Sequence, residues 1–227
     1  MYPMKNNLTI EERKPKIHFL HIPKTGGTSL KKRFSAYDDD NSKYDLVFHR
    51  HKTRIADVPS SEKIVFFVRH PISRYYSSFL SRYNRGKPSY SCDWTPEEQK
   101  YFRIFRSPES LAEALSSLNI VKKYLAFKAM KNIRHVNRPL SYWIGSISEM
   151  SDNFEKLFHV GYQETYEASY NMLLQKLGLS EIPSNTKVEH SRKIEHYEVS
   201  RRAQKNLSKY YAEDISIYWK LAQRFES

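Results

Sequence analysis

Cysteine is almost missing from this chain. Cys92 is the only one in 227 residues, so no internal disulfide can form and secretion is not implied. Long apolar runs are missing as well. None approaches the roughly 20 residues needed to span a bilayer. The opening stretch MYPMKNNLTIEERKPK lacks the apolar segment of a signal peptide. These absences predict a soluble, cytoplasmic protein with no transmembrane segment. Internal repeats, low-complexity tracts and domain boundaries are also lacking, so residues 1–227 are read as one domain. Glycine is scarce, with six in total, which makes two adjacent glycines in one loop conspicuous.

Basic charge, by contrast, is abundant. Lys and Arg number 38 against 25 Asp and Glu, a formal net charge of +13. Such a field attracts polyanions, whether nucleic acid, anionic lipid, phosphorylated nucleotide or acidic polysaccharide. Charge alone does not choose among them. Hydrophobic residues at 39% and charged residues at 28% fit a folded globular chain.

Patterning gives an α/β order. KIHFLHI (Lys16 to Ile22), YDLVF (Tyr44 to Phe48), KIVFFV (Lys63 to Val68) and FHVGY (Phe158 to Tyr162) read as strands. KIVFFV, with five consecutive apolar residues, suits a strand covered on both faces. Helices are predicted over Ser29 to Phe34, over Ile72 to Tyr83 with Pro71 in the first turn, and over Pro108 to Ile133 as a pair meeting at Asn119. Tyr166 to Leu177 reads as another, stopped by Gly178. Residues Gly86 to Pro96 and Ile182 to His196 read as loops. Tyr197 to Phe225 carries one apolar face through Leu207, Tyr211, Ile215, Tyr218, Leu221 and Phe225. Strands alternating with helices imply a central, mostly parallel sheet flanked by helices.

The most informative segment is HFLHIPKTGGTSL. A strand ends, a Gly-containing loop turns, and a helix opens at Thr28 or Ser29, presenting unbonded N–H groups and a positive dipole end to an anion. Gly26 and Gly27 permit close backbone approach and positive φ. Lys24 adds a mobile charge, and Thr25, Thr28 and Ser29 add hydroxyls. The triphosphatase loop G-x-x-x-x-G-K-[ST] is not met, because the Lys precedes the glycines. KIVFFV runs into Arg69 and His70 rather than a magnesium-holding Asp. A nucleotide kinase-like phosphotransferase is therefore a weaker alternative, and the cradle reads as one that holds anions with cations, with no metal required. A zinc site from His49, His51 and His70 lacks a second Cys or a suitably spaced carboxylate.

Arg69 follows the buried strand, at the sheet edge where ligands of parallel sheets bind. Ser77 lies about two helical turns further on. The pair KTGGTS and R-x-P-x-x-R-x-x-S-S, each after a strand, resembles the sulfotransferases. HIPKTGGTSL and FFVRHPISRYYSSF look especially like the carbohydrate branch that includes heparan sulfate 2-O-sulfotransferase and bacterial relatives. The resemblance implies a P-loop-like three-layer fold and the donor 3′-phosphoadenosine 5′-phosphosulfate. It carries Lys24, Thr25, Gly26, Gly27, Thr28 and Ser29 to the 5′-phosphosulfate and carries Arg69 and Ser77 to the 3′-phosphate. VFHRHKTRI resembles the H-x-H segment of the 2-O branch, which implies His51 as the base, supported or substituted by His49. Lys24 is the natural stabiliser of the leaving group.

A carbohydrate or glycoconjugate hydroxyl is the expected acceptor. Arg50, Lys52, Arg82, Tyr83, Arg85, Lys87, Tyr90, Trp94 and Trp143 are candidate contacts. His18 and His21, alternating with apolar residues, read as packed histidines. A non-enzymatic polyanion-binding protein is the other alternative, but no helix-turn-helix, zinc-finger or aromatic RNA-binding signature supports specific nucleic-acid binding. The sequence does not specify an oligomeric state.

Overall fold

The computed structural model describes residues 14–35, 37, 42–180 and 199–225. Four strands form its sheet: β1 (Lys16–Leu20), β2 (Asp45–Phe48), β3 (Lys63–Val68) and β4 (Leu157–Tyr162). They run in the order β2-β1-β3-β4, and every pairing is parallel. His18 lies opposite Val47 on one side and Ile64 on the other. β1 connects onward to β2 on one side, whereas β3 connects onward to β4 on the other. The resulting crevice opens at the carboxyl ends of β1 and β3, where open α/β sheets bind ligands.

β3 explains the layering. Ile64, Phe66 and Val68 point to one face and Val65 and Phe67 to the other, and all five are buried. On the first face they pack with α6 (Ser141–Ile144), α7 (Ile147–Asp152) and α10 (Ala212–Phe225), through Trp143, Ile144, Met150, Ile217 and Leu221. On the second they meet α1 (Gly27–Phe34) and α8 (Tyr166–Leu177), through Leu30, Phe34, Leu173 and Leu174. This is the expected helix–sheet–helix sandwich. A third core lies beside it, built from α2 (Pro71–Tyr83), α3 (Pro96–Ile104), α4 (Pro108–Ala114), α5 (Ile120–Asn132) and α9 (Arg201–Tyr210) around Phe79, Phe102, Leu111, Met130 and Leu207.

Most predicted elements are present within a residue or two. Pro71 opens α2, Asn119 caps α5 by accepting from the Lys122 N–H at 2.9 Å, and Gly178 ends α8 with φ of 68°. The predicted loop at Ile182 to His196 lies outside the described residues. α3 was not predicted, although its signature is legible. Thr95 and Glu98 form a reciprocal capping box with Pro96 as the first helical residue between them. The single C-terminal helix is corrected to two. Tyr211, at φ −104° and ψ 27°, breaks the chain between α9 and α10. The apolar stripe continues through the break but serves two cores, with Leu207 and Tyr211 among the side helices and Tyr218 and Leu221 on the sheet.

Candidate functional site

The β1–α1 loop turns sharply at the crevice. Lys24 (φ 70°) and Gly26 (φ 90°) both lie in the left-handed region, and left-handed residues in such a turn point successive N–H groups into one concavity. For a lysine that conformation is strained, a feature that clusters at ligand clamps. Gly26 is the N-cap of α1 and contributes no side-chain bond. The first intrahelical bond runs from the Leu30 N–H to the Gly26 carbonyl at 3.0 Å. The N–H groups of Gly27, Thr28 and Ser29 precede it and have no acceptor within the helix. Thr25 is buried, and its hydroxyl donates to the Ile22 carbonyl at 2.9 Å. That hydroxyl braces the loop, so Thr25 has only its backbone N–H to offer an anion. Both glycines are demanded by packing too. A Cβ on Gly26 would collide with Gln163 and Tyr166, and one on Gly27 with the His21 ring.

Arg69 emerges beside this loop, since β1 and β3 are adjacent. Its Nε donates to the Ser73 hydroxyl at 2.8 Å, a residue that the sequence reading did not single out. Ser73 and Ser77 are four apart on α2 and share one face, so Arg69, Ser73 and Ser77 follow one line along the helix. Ser77 is half-buried.

The histidines separate into three sets. His51 Nδ1 lies 3.0 Å from the His21 carbonyl oxygen. A carbonyl can only accept, so Nδ1 carries the hydrogen, which leaves Nε2 as the nitrogen with a lone pair when the ring holds a single proton. The backbone of the same residue is fixed from the core, where Trp143 Nε1 donates to the His51 carbonyl at 2.9 Å. His49 is engaged at both nitrogens, by His18 Nδ1 at 2.7 Å and by Thr53 Oγ1 at 3.2 Å. His18 in turn contacts Glu62 at 2.5 Å. His70 faces Tyr218 and Trp219. Among the described residues no group of three or more His, Cys, Asp or Glu is arranged for a metal ion.

Two further imidazoles surround His51. His21 lies 4.1 Å away between ring centroids and His135 6.2 Å away. His21 is packed, as expected, but against His51 and over Gly27, and His135 was missed altogether. His135 has φ of 67°, and its buried Nδ1 has no hydrogen-bond partner. Burial, followed by the charges of Lys24, His51, Arg82 and Arg74, lowers its pKa to about 3. Burial and the neighbouring His51 and Lys31 lower that of His21 to about 4. Both rings are neutral at physiological pH. The loop that carries His135 is braced from two helices. Arg74 Nη2 donates to the Arg138 carbonyl at 2.5 Å, while Asp214 accepts from the N–H groups of Leu140 at 2.7 Å and Ser141 at 3.3 Å.

Several candidate acceptor contacts are corrected. Arg82 is buried and grips buried Glu98 with Nε at 2.8 Å and Nη2 at 2.6 Å. Trp143 is fully buried beneath His51. Tyr83 and Trp94 pack against the side-helix core. Arg50, Lys52, Arg85, Lys87 and Tyr90 remain exposed.

No curated protein matches the chain. A family model does, that of the sulfotransferase family, over residues 6–220. The match takes in the cradle after β1, both His49 and His51, Arg69 and the loop of His135. This protein belongs to the sulfotransferase family.

Proposed function

We propose that the chain transfers a sulfuryl group from 3′-phosphoadenosine 5′-phosphosulfate to a hydroxyl of a carbohydrate or glycoconjugate. The observation that carries this reading is the placement of the two anion-holding segments. The loop from Pro23 to Ser29 and the Arg69–Ser73–Ser77 line follow the carboxyl ends of the adjacent parallel strands β1 and β3. One nucleotide with phosphates at both ends of its ribose fits such a pair.

In this reading the N–H groups of Gly27, Thr28 and Ser29 hold the 5′-phosphosulfate, and Arg69 with the α2 serines holds the 3′-phosphate. His51 Nε2 takes the proton of the acceptor hydroxyl as the new S–O bond forms. The bond from sulfur to the bridging phosphate oxygen breaks, and Lys24 neutralises the charge left on that oxygen. His135, neutral and with an unsatisfied ring nitrogen, supplies a hydrogen-bonding group to the same pocket. His49, tied to His18 and Thr53, supports the loop that carries His51 and is not the base.

The support for a sugar acceptor lies next to Trp143, whose indole holds the His51 carbonyl. Arg54 and Arg138 stack on Tyr142, at 4.4 Å and 4.8 Å from its ring centre. Two guanidinium groups held on one aromatic ring suit the acidic substituents of a sugar.

Calorimetry with 3′-phosphoadenosine 5′-phosphate tests the donor, and radiolabelled-sulfate transfer over a glycan panel tests the acceptor. Absence of binding at high micromolar nucleotide and low salt overturns the proposal. Stabilisation by magnesium–ATP without stabilisation by the bisphosphate would point to phosphoryl transfer instead.

A further inference from the structure

Beyond the catalytic crevice, the turn before α5 and the outward face of that helix carry large apolar side chains in open solvent. Leu118 is 98% exposed, Ile120 82%, Val121 67%, Tyr124 58% and Phe127 39%. This is not a frayed segment. Asn119 caps α5, the Asn119 N–H bonds the Ser117 hydroxyl at 3.2 Å, and Ala126, Ala129 and Met130 bury the opposite face in the side-helix core. Ile120, Tyr124 and Phe127 stand at i, i+4 and i+7 and so form one outward stripe. Contiguous exposed apolar surface of this kind marks an interaction site.

The charge around the stripe has one sign. Lys122, Lys123 and Lys128 are exposed within α5, and Lys131 joins them near its end. Lys128 Nζ sits 5.5 Å from the Tyr124 ring centre. Tyr210, the last residue of α9, lies 6.3 Å from Phe127 between ring centroids, and that helix adds the exposed Arg201, Arg202, Lys205 and Lys209. Neither helix contains a single Asp or Glu.

We propose that this face docks on an anionic lipid bilayer, with Leu118, Ile120, Val121 and Tyr124 entering the headgroup–acyl boundary and the surrounding lysines meeting lipid phosphates. Apolar tips ringed by long cationic side chains are the composition of interfacial helices, because the lysine stems follow the apolar surface while the ammonium groups stay at the polar layer. Each cation near an anionic leaflet adds to the attraction. A second copy of the chain is a poor occupant, since it would set the same cations against each other. A nucleic acid would meet the cations and leave the aliphatic tips without a partner.

The test is vesicle co-sedimentation of the full chain. The vesicles are phosphatidylcholine alone or with about 30% phosphatidylglycerol, a strongly anionic surface. The chain is expected on the anionic vesicles only, with the triple variant Leu118→Ser/Ile120→Ser/Val121→Ser retained on the order of tenfold less. Tyr124→Trp is expected to give a blue-shifted emission, quenched by brominated lipid, when anionic vesicles are added. Equal sedimentation of the triple variant and the parent would reduce the contact to diffuse charge and overturn the proposal. So would an unshifted Trp emission, or a dimer in analytical ultracentrifugation that the triple variant dissolves. Should the triple variant melt at a lower temperature than the parent, the Tyr124→Trp emission decides alone.

Discussion

His159 lets the electrostatics of this fold be measured away from the crevice. It sits on β4, only 2% exposed, with Nε2 lacking a partner and the Phe67 ring 6.0 Å away. Burial, then the charge of Lys176, lowers its pKa from 6.5 to about 4, opposed by a bond with the Ser169 backbone. In the unfolded chain the ring protonates near 6.5, while in the folded chain it stays neutral until about 4. Between those values the unfolded state binds the extra proton, so stability rises with pH. The full contribution is present above 6.5 and is lost as the pH falls towards 4. At about 1.4 kcal/mol per pH unit, the loss is roughly 3 kcal/mol over the whole window and about 2 kcal/mol between pH 7 and pH 5. His21 and His135 act in the same direction. Urea unfolding of the parent and of His159→Leu at pH 5, 6 and 7 isolates the one proton. The parent should lose about 2 kcal/mol more than the variant from pH 7 to pH 5. Parallel pH curves for the two proteins would refute the reasoning, whatever their absolute offset.

Other perturbations address the site and its frame. His51→Ala should lower turnover by a factor of about 10² to 10⁴ while leaving bisphosphate affinity unchanged, as read by steady-state kinetics beside calorimetry; full turnover would remove His51 as the base. Arg69→Ala should weaken the same nucleotide on the order of 10- to 100-fold, the scale of a charge-assisted hydrogen bond, with an unchanged affinity arguing against the α2 subsite. Gly27→Ala keeps an allowed backbone but drives a methyl into the His21 ring; turnover should fall about tenfold or more through displaced geometry, and parental kinetics would show that His21 yields freely. Glu98→Ala leaves the buried Arg82 guanidinium without its carboxylate, a loss of about 3–5 kcal/mol and on the order of 10 °C in Tm, which a thermal scan would detect.

Much of this was legible in the sequence because it depends on local rules. Five apolar residues in a row at β3, a proline opening α2 and a glycine closing α8 each fix an element without reference to the rest of the chain. The strand–glycine–helix loop is local in the same way. What stayed hidden depends on distant partners. His135 sits in no motif, and only the folding of the loop after α5 brings it to His51. Arg82 looks like any surface arginine until Glu98, the carbonyls of Cys92 and Asp93 and the Trp94 indole close over it. The C-terminal stripe gave no sign of its break, because the apolar spacing is continuous and only the change of core at Tyr211 divides it. Thr95 and Glu98 are the counterexample, a capping signature plainly present that went unread.

The glycine pair at the cradle has a consequence for anyone who would probe it by randomisation. Gly26 is closed off by Gln163 and Tyr166 and Gly27 by His21, before any nucleotide arrives. A library varied at these two positions would be filtered first by folding, and its survivors would say little about phosphate recognition. Arg69, whose side chain bonds the Ser73 hydroxyl outside this steric wall, is where selection on the ligand can be heard.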